Sequence, residues 1–195
     1  MSTSPNINRG TNINAMNLKA AYRTEGMKEA RRVFRKLERR GADLAPLADA
    51  VGQLLVESAV HRLAVTNRAP DGKEWPTSAR ARARGGPTQY DRGSGGLAGS
   101  LTHAVQGGGA SVDVGSNKPY AAQRQFGGVI KPKKPGGFLV FEMLNEQTGK
   151  MELVFAREVT QPSRPYLGIS DDDADDIGSI ALEYLNDVIE QGGRT

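Results

Sequence analysis

The sequence predicts an α+β fold: a small antiparallel β-sheet packed against a long helix and a C-terminal helix, with a long mobile loop and an N-terminal extension. Three observations carry this. Apolar residues recur at helical spacing through 43–66, and again from Ile177 to Val188. Between them, short apolar runs alternate or cluster as in strands. The intervening segments are rich in Gly, Pro and basic residues.

Taken in order, residues 1–20 are Asn-rich and hold few large apolar side chains. Such a stretch cannot anchor itself in a core and is expected to order only on another surface. Residues 25–40 read as a helix, with Met27, Ala30, Val33 or Phe34, and Leu37 on one face. Its other faces are basic and include Arg31, Arg32 and Arg35. The expected division is therefore 1–41, an extension with a basic helix, and 42–191, an α+β domain.

Leu44, Leu47, Val51, Leu54, Leu55, Ala59 and Leu63 form the stripe of the long helix. Asp43 is placed as its N-cap, and Pro46 fits the first turn, where a missing N–H costs nothing. Pro70-Asp71-Gly72 is a turn expected to end it. Residues 77–96 carry Arg80, Arg82, Arg84 and Arg92 among many Gly. Charge repulsion and glycine entropy predict a mobile loop. Leu97 to Val105 reads as a short helix.

Val112 and Val114 share one face of a half-buried strand. Tyr120 to Phe126 reads as a helical turn ended by Gly127-Gly128, and IKPKKPGG as a basic connector. Two strands follow, 138–141 and 151–155, joined by the loop NEQTGK. Ser170 opens the last helix, with Asp171, Asp172 and Asp173 where carboxylates favour the helix dipole.

Composition excludes several classes. The chain has 195 residues, 26 Lys and Arg, 22 Asp and Glu, and a formal charge of +4. It holds no Cys, so a disulfide framework, a thiolate metal site and a Cys nucleophile are all excluded. No stretch approaches the roughly 20 apolar residues of a membrane span. The opening MSTSPNINRGTNIN lacks a signal-peptide core, so the expected compartment is the cytoplasm of the cell that makes the chain. Charge is polarised: residues 1–90 hold 16 basic and 8 acidic side chains, and 91–195 hold 10 and 14. That asymmetry suits an electrostatic partner or the stacking of one subunit end on the other end of its neighbour.

No constellation combines nucleophile, base and orienting group, so an enzyme is not expected. Neither is a cofactor or metal. The cluster Asp171, Asp172, Asp173, Asp175, Asp176 lacks the alternation and central Gly of an EF-hand, and the Gly runs lack the GK[ST] of a P-loop. His61 lies i, i+4 from Glu57 without an HExxH. The Arg loop can neutralise phosphates without reading sequence, which makes nucleic-acid binding through it and the basic helix an alternative function.

Spaced motifs then accumulate in order. They begin with Asp43-Leu44-x-x-Leu47 and Ala69-Pro70-Asp71-Gly72-x-x-Trp75. Ser94-Gly95-x-Leu97-x-x-Ser100-Leu101 and Val112-x-Val114-Gly115-Ser116 come next. Pro119-Tyr120-Ala121-Ala122 leads to Gln125-Phe126-Gly127-Gly128, and Pro162-x-Arg164-Pro165-Tyr166-Leu167-Gly168-Ile169-Ser170 closes the set. Over roughly 43–190 this resembles the Mu-like phage virion morphogenesis family, which includes tail completion proteins of long-tailed phages.

The resemblance implies a virion protein at the head–tail junction, made in the bacterial host cytoplasm. It implies a ring, expected to have six subunits, that terminates the tail tube and meets the connector or neck proteins, with DNA passing nearby and no membrane. A neck or head-completion protein is the near alternative, and a transient capsid-assembly factor a further one. Arg31, Arg32, Arg35, Arg80, Arg82, Arg84 and Arg92 are the expected subunit or partner contacts. Trp75, Tyr120, Phe126, Gly127, Arg164, Pro165 and Tyr166 are expected to anchor the fold, with Tyr120 and Phe126 in the core.

Overall fold

The computed structural model describes residues 11–14, 32–35, 37, 39, 43–78, 81–82, 85–86, 96–145 and 147–192. Strand β1 is Thr11–Asn14 and helix α1 is Ala45–His61. β2 (Leu101–Gln106) and β3 (Ser111–Ser116) follow, then helix α2 (Ala121–Phe126) and β4 (Gly128–Ile130). β5 (Leu139–Leu144), β6 (Met151–Ala156), β7 (Val159–Gln161) and helix α3 (Asp171–Gly192) complete the order. The architecture is α+β, with all strand pairs antiparallel.

β3 is the centre of a three-stranded sheet, between β1 and β2. Its Val112 and Val114 alternate inward, as the period of two requires. α1 packs across β2 and β3, and α3 packs on α1. The resulting core joins Leu47, Val51 and Leu55 of α1 to Val112 and Val114 of β3 and to Ile177, Ala181 and Leu185 of α3. Residues 32–35, 37 and 39 are helical, and Val33 and Leu37 bury in this same core. The basic helical segment is thus tied to the body, while its Arg32, Arg35 and Arg39 remain exposed.

Several local expectations need correction. β1 falls inside the stretch read as a tail: its backbone finds ladder partners on β3. Leu97 to Val105 is not a helix. After a 3₁₀ turn at Ala98–Ser100 it becomes β2, paired along its length with β3. Non-local pairing overrides a short apolar pattern that either structure would satisfy. Leu44, not Asp43, holds the N-cap position, and the Asp43 carboxylate accepts the Ala45 N–H at 3.0 Å.

The long helix itself runs to residue 66, as its apolar stripe through 43–66 predicts, and stops short of the Pro70 turn. It widens to a π-helical turn at Arg62–Thr66, and left-handed Asn67 donates its N–H to the Arg62 carbonyl at 3.0 Å. Pro70-Asp71-Gly72 instead tips a small turn closed by the Arg68–Glu74 bridge. β4 and β7 pair at the edge of the connector that the sequence reading left irregular. Among the described residues no helix is long and apolar enough to cross a membrane.

Candidate interaction surface

The residues expected to anchor the fold divide sharply. Trp75 is buried beside Ala59, Leu63, Leu97, Ala121 and Tyr166, in a second core cluster at the far end of α1. Its indole N–H donates to the Pro165 carbonyl at 3.1 Å. Arg164 is buried too, and its Nε and one terminal nitrogen both donate to the Pro76 carbonyl, at 3.0 and 2.9 Å. The 164–166 segment is therefore fastened to 75–76 across about ninety residues of chain.

Tyr166 is 1% exposed. Burial, with Tyr120 nearby, pushes its hydroxyl up to about 12. Its backbone N–H and that of Leu167 both donate to the Gln125 side-chain carbonyl, at 2.9 and 3.0 Å. Gln125 returns a bond from Nε2 to the Leu167 carbonyl at 3.1 Å. A buried amide that satisfies three backbone groups replaces a ladder the irregular segment cannot form.

Tyr120 and Phe126 are not core anchors: they are 40% and 69% exposed. α2 turns Ala121 and Gln125 inward, so these two aromatics fall on its outer side. Gly127 is where it was expected, at the C-terminus of α2 with φ 69°. A Cβ there would sit 2.6 Å from the Ser163 nitrogen, so backbone approaches where only Gly fits.

Sequence reasoning missed Arg62. Buried at the π-turn, it pairs with the Asp173 carboxylate and donates to the carbonyls of Tyr166 and Gly168 at 3.2 and 3.1 Å. Asp173 also accepts the Ser170 N–H at 2.7 Å, while the Ser170 hydroxyl accepts the Asp173 N–H at 3.2 Å. This is a capping box, and its S-x-x-D signature was readable. Burial works against the Asp173 charge. The Ser170 N–H, the Ser58 hydroxyl and the Arg62 guanidinium outweigh it and hold the carboxyl below its ordinary value. Among the described residues no group of three His, Asp or Glu is placed to hold a metal ion.

Of the expected contact residues, Arg31, Arg80, Arg84 and Arg92 lie outside the described residues. Arg32 and Arg35 are exposed on the basic helical segment. Arg82 is exposed beside buried Ala81, and it lines an open cleft of about 520 Å³ together with Met143, Asn145, Glu152 and Val154. The structure thus brings one arginine of the loop against the β5–β6 hairpin.

That hairpin is the one expected from 138–141, NEQTGK and 151–155, but its open apolar face was not foreseen. Register places Val140 opposite Phe155, Glu142 opposite Leu153 and Leu144 opposite Met151 on one face. Val140, Leu153 and Phe155 are 55%, 63% and 64% exposed. The other face holds Leu139, Phe141, Val154 and Ala156, which are half-buried, and toward the tip Met143 and Glu152, which are exposed. Among the described residues the hairpin packs on no other strand or helix to a substantial extent. A sheet face on water should be polar, and an isolated two-stranded hairpin is marginal in water. An open apolar face of this kind marks a surface for another macromolecule.

The sequence model of the phage virion morphogenesis family matches residues 26–186. The match includes most of the basic helix, and so reaches further toward the N-terminus than the motifs alone do. No curated protein and no solved structure matches the chain.

Proposed function

The chain belongs to the phage virion morphogenesis family and so has a structural or assembly role in a phage particle; on that premise we propose that it terminates the tail tube of a long-tailed phage. In this reading it closes as a ring of six subunits and offers the surface to which the head docks. Its action is stoichiometric binding. Tube protein meets one side of the ring, connector or neck proteins meet the other, and DNA passes through the lumen.

The observation that most supports this reading is the exposed apolar face of Val140, Leu153 and Phe155. A chain that works alone in water gains nothing from such a face, whereas a ring subunit covers it. The uneven charge, basic before residue 90 and acidic after it, suits contacts between unlike ends of successive subunits. A second reading, binding of nucleic acid, is favoured by exposed Arg32, Arg35 and Arg82.

The test is depletion and add-back. Phage grown without the chain should accumulate finished tails and filled heads that do not join. Purified chain, incubated first with the tails, should restore joined particles. Restoration only after incubation with heads would move the chain to the neck. Joined particles in its absence would reject both positions.

A further inference from the structure

The hairpin's open face and one flank of α3 are complementary, yet among the described residues the two elements do not pack together to a substantial extent. Next to the hairpin in sequence stand exposed Lys133 and Lys134 before β5 and Arg157 after β6, while Lys131 is paired with Glu158 at 3.5 Å. Arg157 lies over the ring of Phe138 at 5.3 Å, which fixes one of these charges beside the apolar strand pair. α3 offers the opposite charge. Asp171 and Asp175 are exposed on it, and so are Leu182 and Ile189, at 40% and 44%. Residues 175, 182 and 189 recur every seven positions, about two helical turns, so they line one flank. The neighbouring stripe of α3 is committed to the core it shares with α1 through Ile177, Ala181 and Leu185, so this flank borders the buried face.

We infer that the β5–β6 hairpin of one copy docks on the α3 flank of a second copy, with Val140, Leu153 and Phe155 covering Leu182 and Ile189. Lys133 and Lys134 then face Asp171 and Asp175. The apolar face carries one acidic group, Glu142, but the cations flanking it, Lys133, Lys134 and Arg157, are opposite in sign to the acidic α3 flank, and this match within one chain favours a second copy over an unrelated partner. Because the two patches differ, the contact is heterologous, and its repetition closes a ring or extends a filament. Covering the Val140, Leu153 and Phe155 face also removes much of the exposure that leaves a lone two-stranded hairpin marginal in water. This inference rests on the ring reading proposed above and names the surfaces that close the ring.

The chain has no cysteine, so the purified parent protein gives no thiol cross-linking. The doubly substituted chain Leu153→Cys/Leu182→Cys is treated with a short bismaleimide, both as concentrated purified protein and in assembled particles. The expected result is a ladder of covalent species beyond the dimer, with no such ladder from either single substitution. Far-UV circular dichroism matching the parent chain shows that the substitutions leave the fold intact. Absence of a ladder in both preparations overturns the inference. Cross-linking of Leu153→Cys alone to a different virion protein, or to nucleic acid through a photoreactive thiol reagent, also overturns it. A ladder obtained while depletion leaves head–tail joining intact would keep this contact and reject the tail-terminating role.

Discussion

Arg62 carries a charge into the molecule at the point where α1 widens, and everything around it answers that charge. Two carbonyls, a hydroxyl and the Asp173 carboxylate surround its guanidinium. A buried pair of this kind adds little compared with an apolar pair of the same volume. Removing one partner, however, strands the other and costs about 3–5 kcal/mol. Asp173→Asn should therefore lower stability by about that amount at neutral pH, measured by urea unfolding. The folded-state pKa of Asp173 is depressed, so its contribution is present above the unfolded value, roughly 3.9, and is lost as pH falls through the lower folded value. The parent and the variant should therefore converge in acid. A gap that stays constant down to the acid limit would show that the pair contributes no charge-dependent stability. The Arg62–Asp173 pairing is not legible in the sequence, because the partners lie 111 residues apart. The capping box at Ser170 was the one local clue, and it named Asp173 without naming Arg62.

At the scale of elements, periodicity carried α1, β3, the β5–β6 hairpin and α3, because each has a strong local apolar pattern. It failed where a partner decides. β2 holds only a short run of small and apolar residues, and its extended form comes from its register with β3. Tyr120 and Phe126 drew attention as aromatics, yet α2 is six residues long and spends its inner face on Ala121 and Gln125. Gly52 shows the same dependence on packing. A glycine inside a helix is worth about 1 kcal/mol less than alanine, so Gly52→Ala would ordinarily stabilise α1. Here an added Cβ would lie 2.4 Å from the His103 ring and 2.8 Å from Val112, where α1 crosses the sheet. Overpacking of that kind costs about 1–3 kcal/mol and should outweigh the propensity gain. Thermal unfolding of Gly52→Ala is expected to show a lower Tm than the parent. An increase would mean that the sheet yields to the helix at no cost.

Across the whole molecule, the two ends of the charge distribution and the open hairpin face point the same way. Composition made the first visible, since a chain of net +4 splits into a basic first half and an acidic second half. The second required the register of β5 on β6 and the lack of a covering element among the described residues, which no single segment of sequence states. Fourfold Arg in the loop suggested a phosphate-binding surface. The loop arginine that is described, Arg82, instead stands beside the hairpin, at the edge of the cleft lined by Met143 and Glu152. The family match gives these surfaces a setting, a phage particle under assembly. The most direct test of the ring at the tail end is electron microscopy of isolated tails carrying gold-labelled chain. Label at the head-proximal end of every finished tail, as a ring that caps the tube, is the expected result. Tails without label, or label confined to the portal vertex of tailless heads, would contradict it.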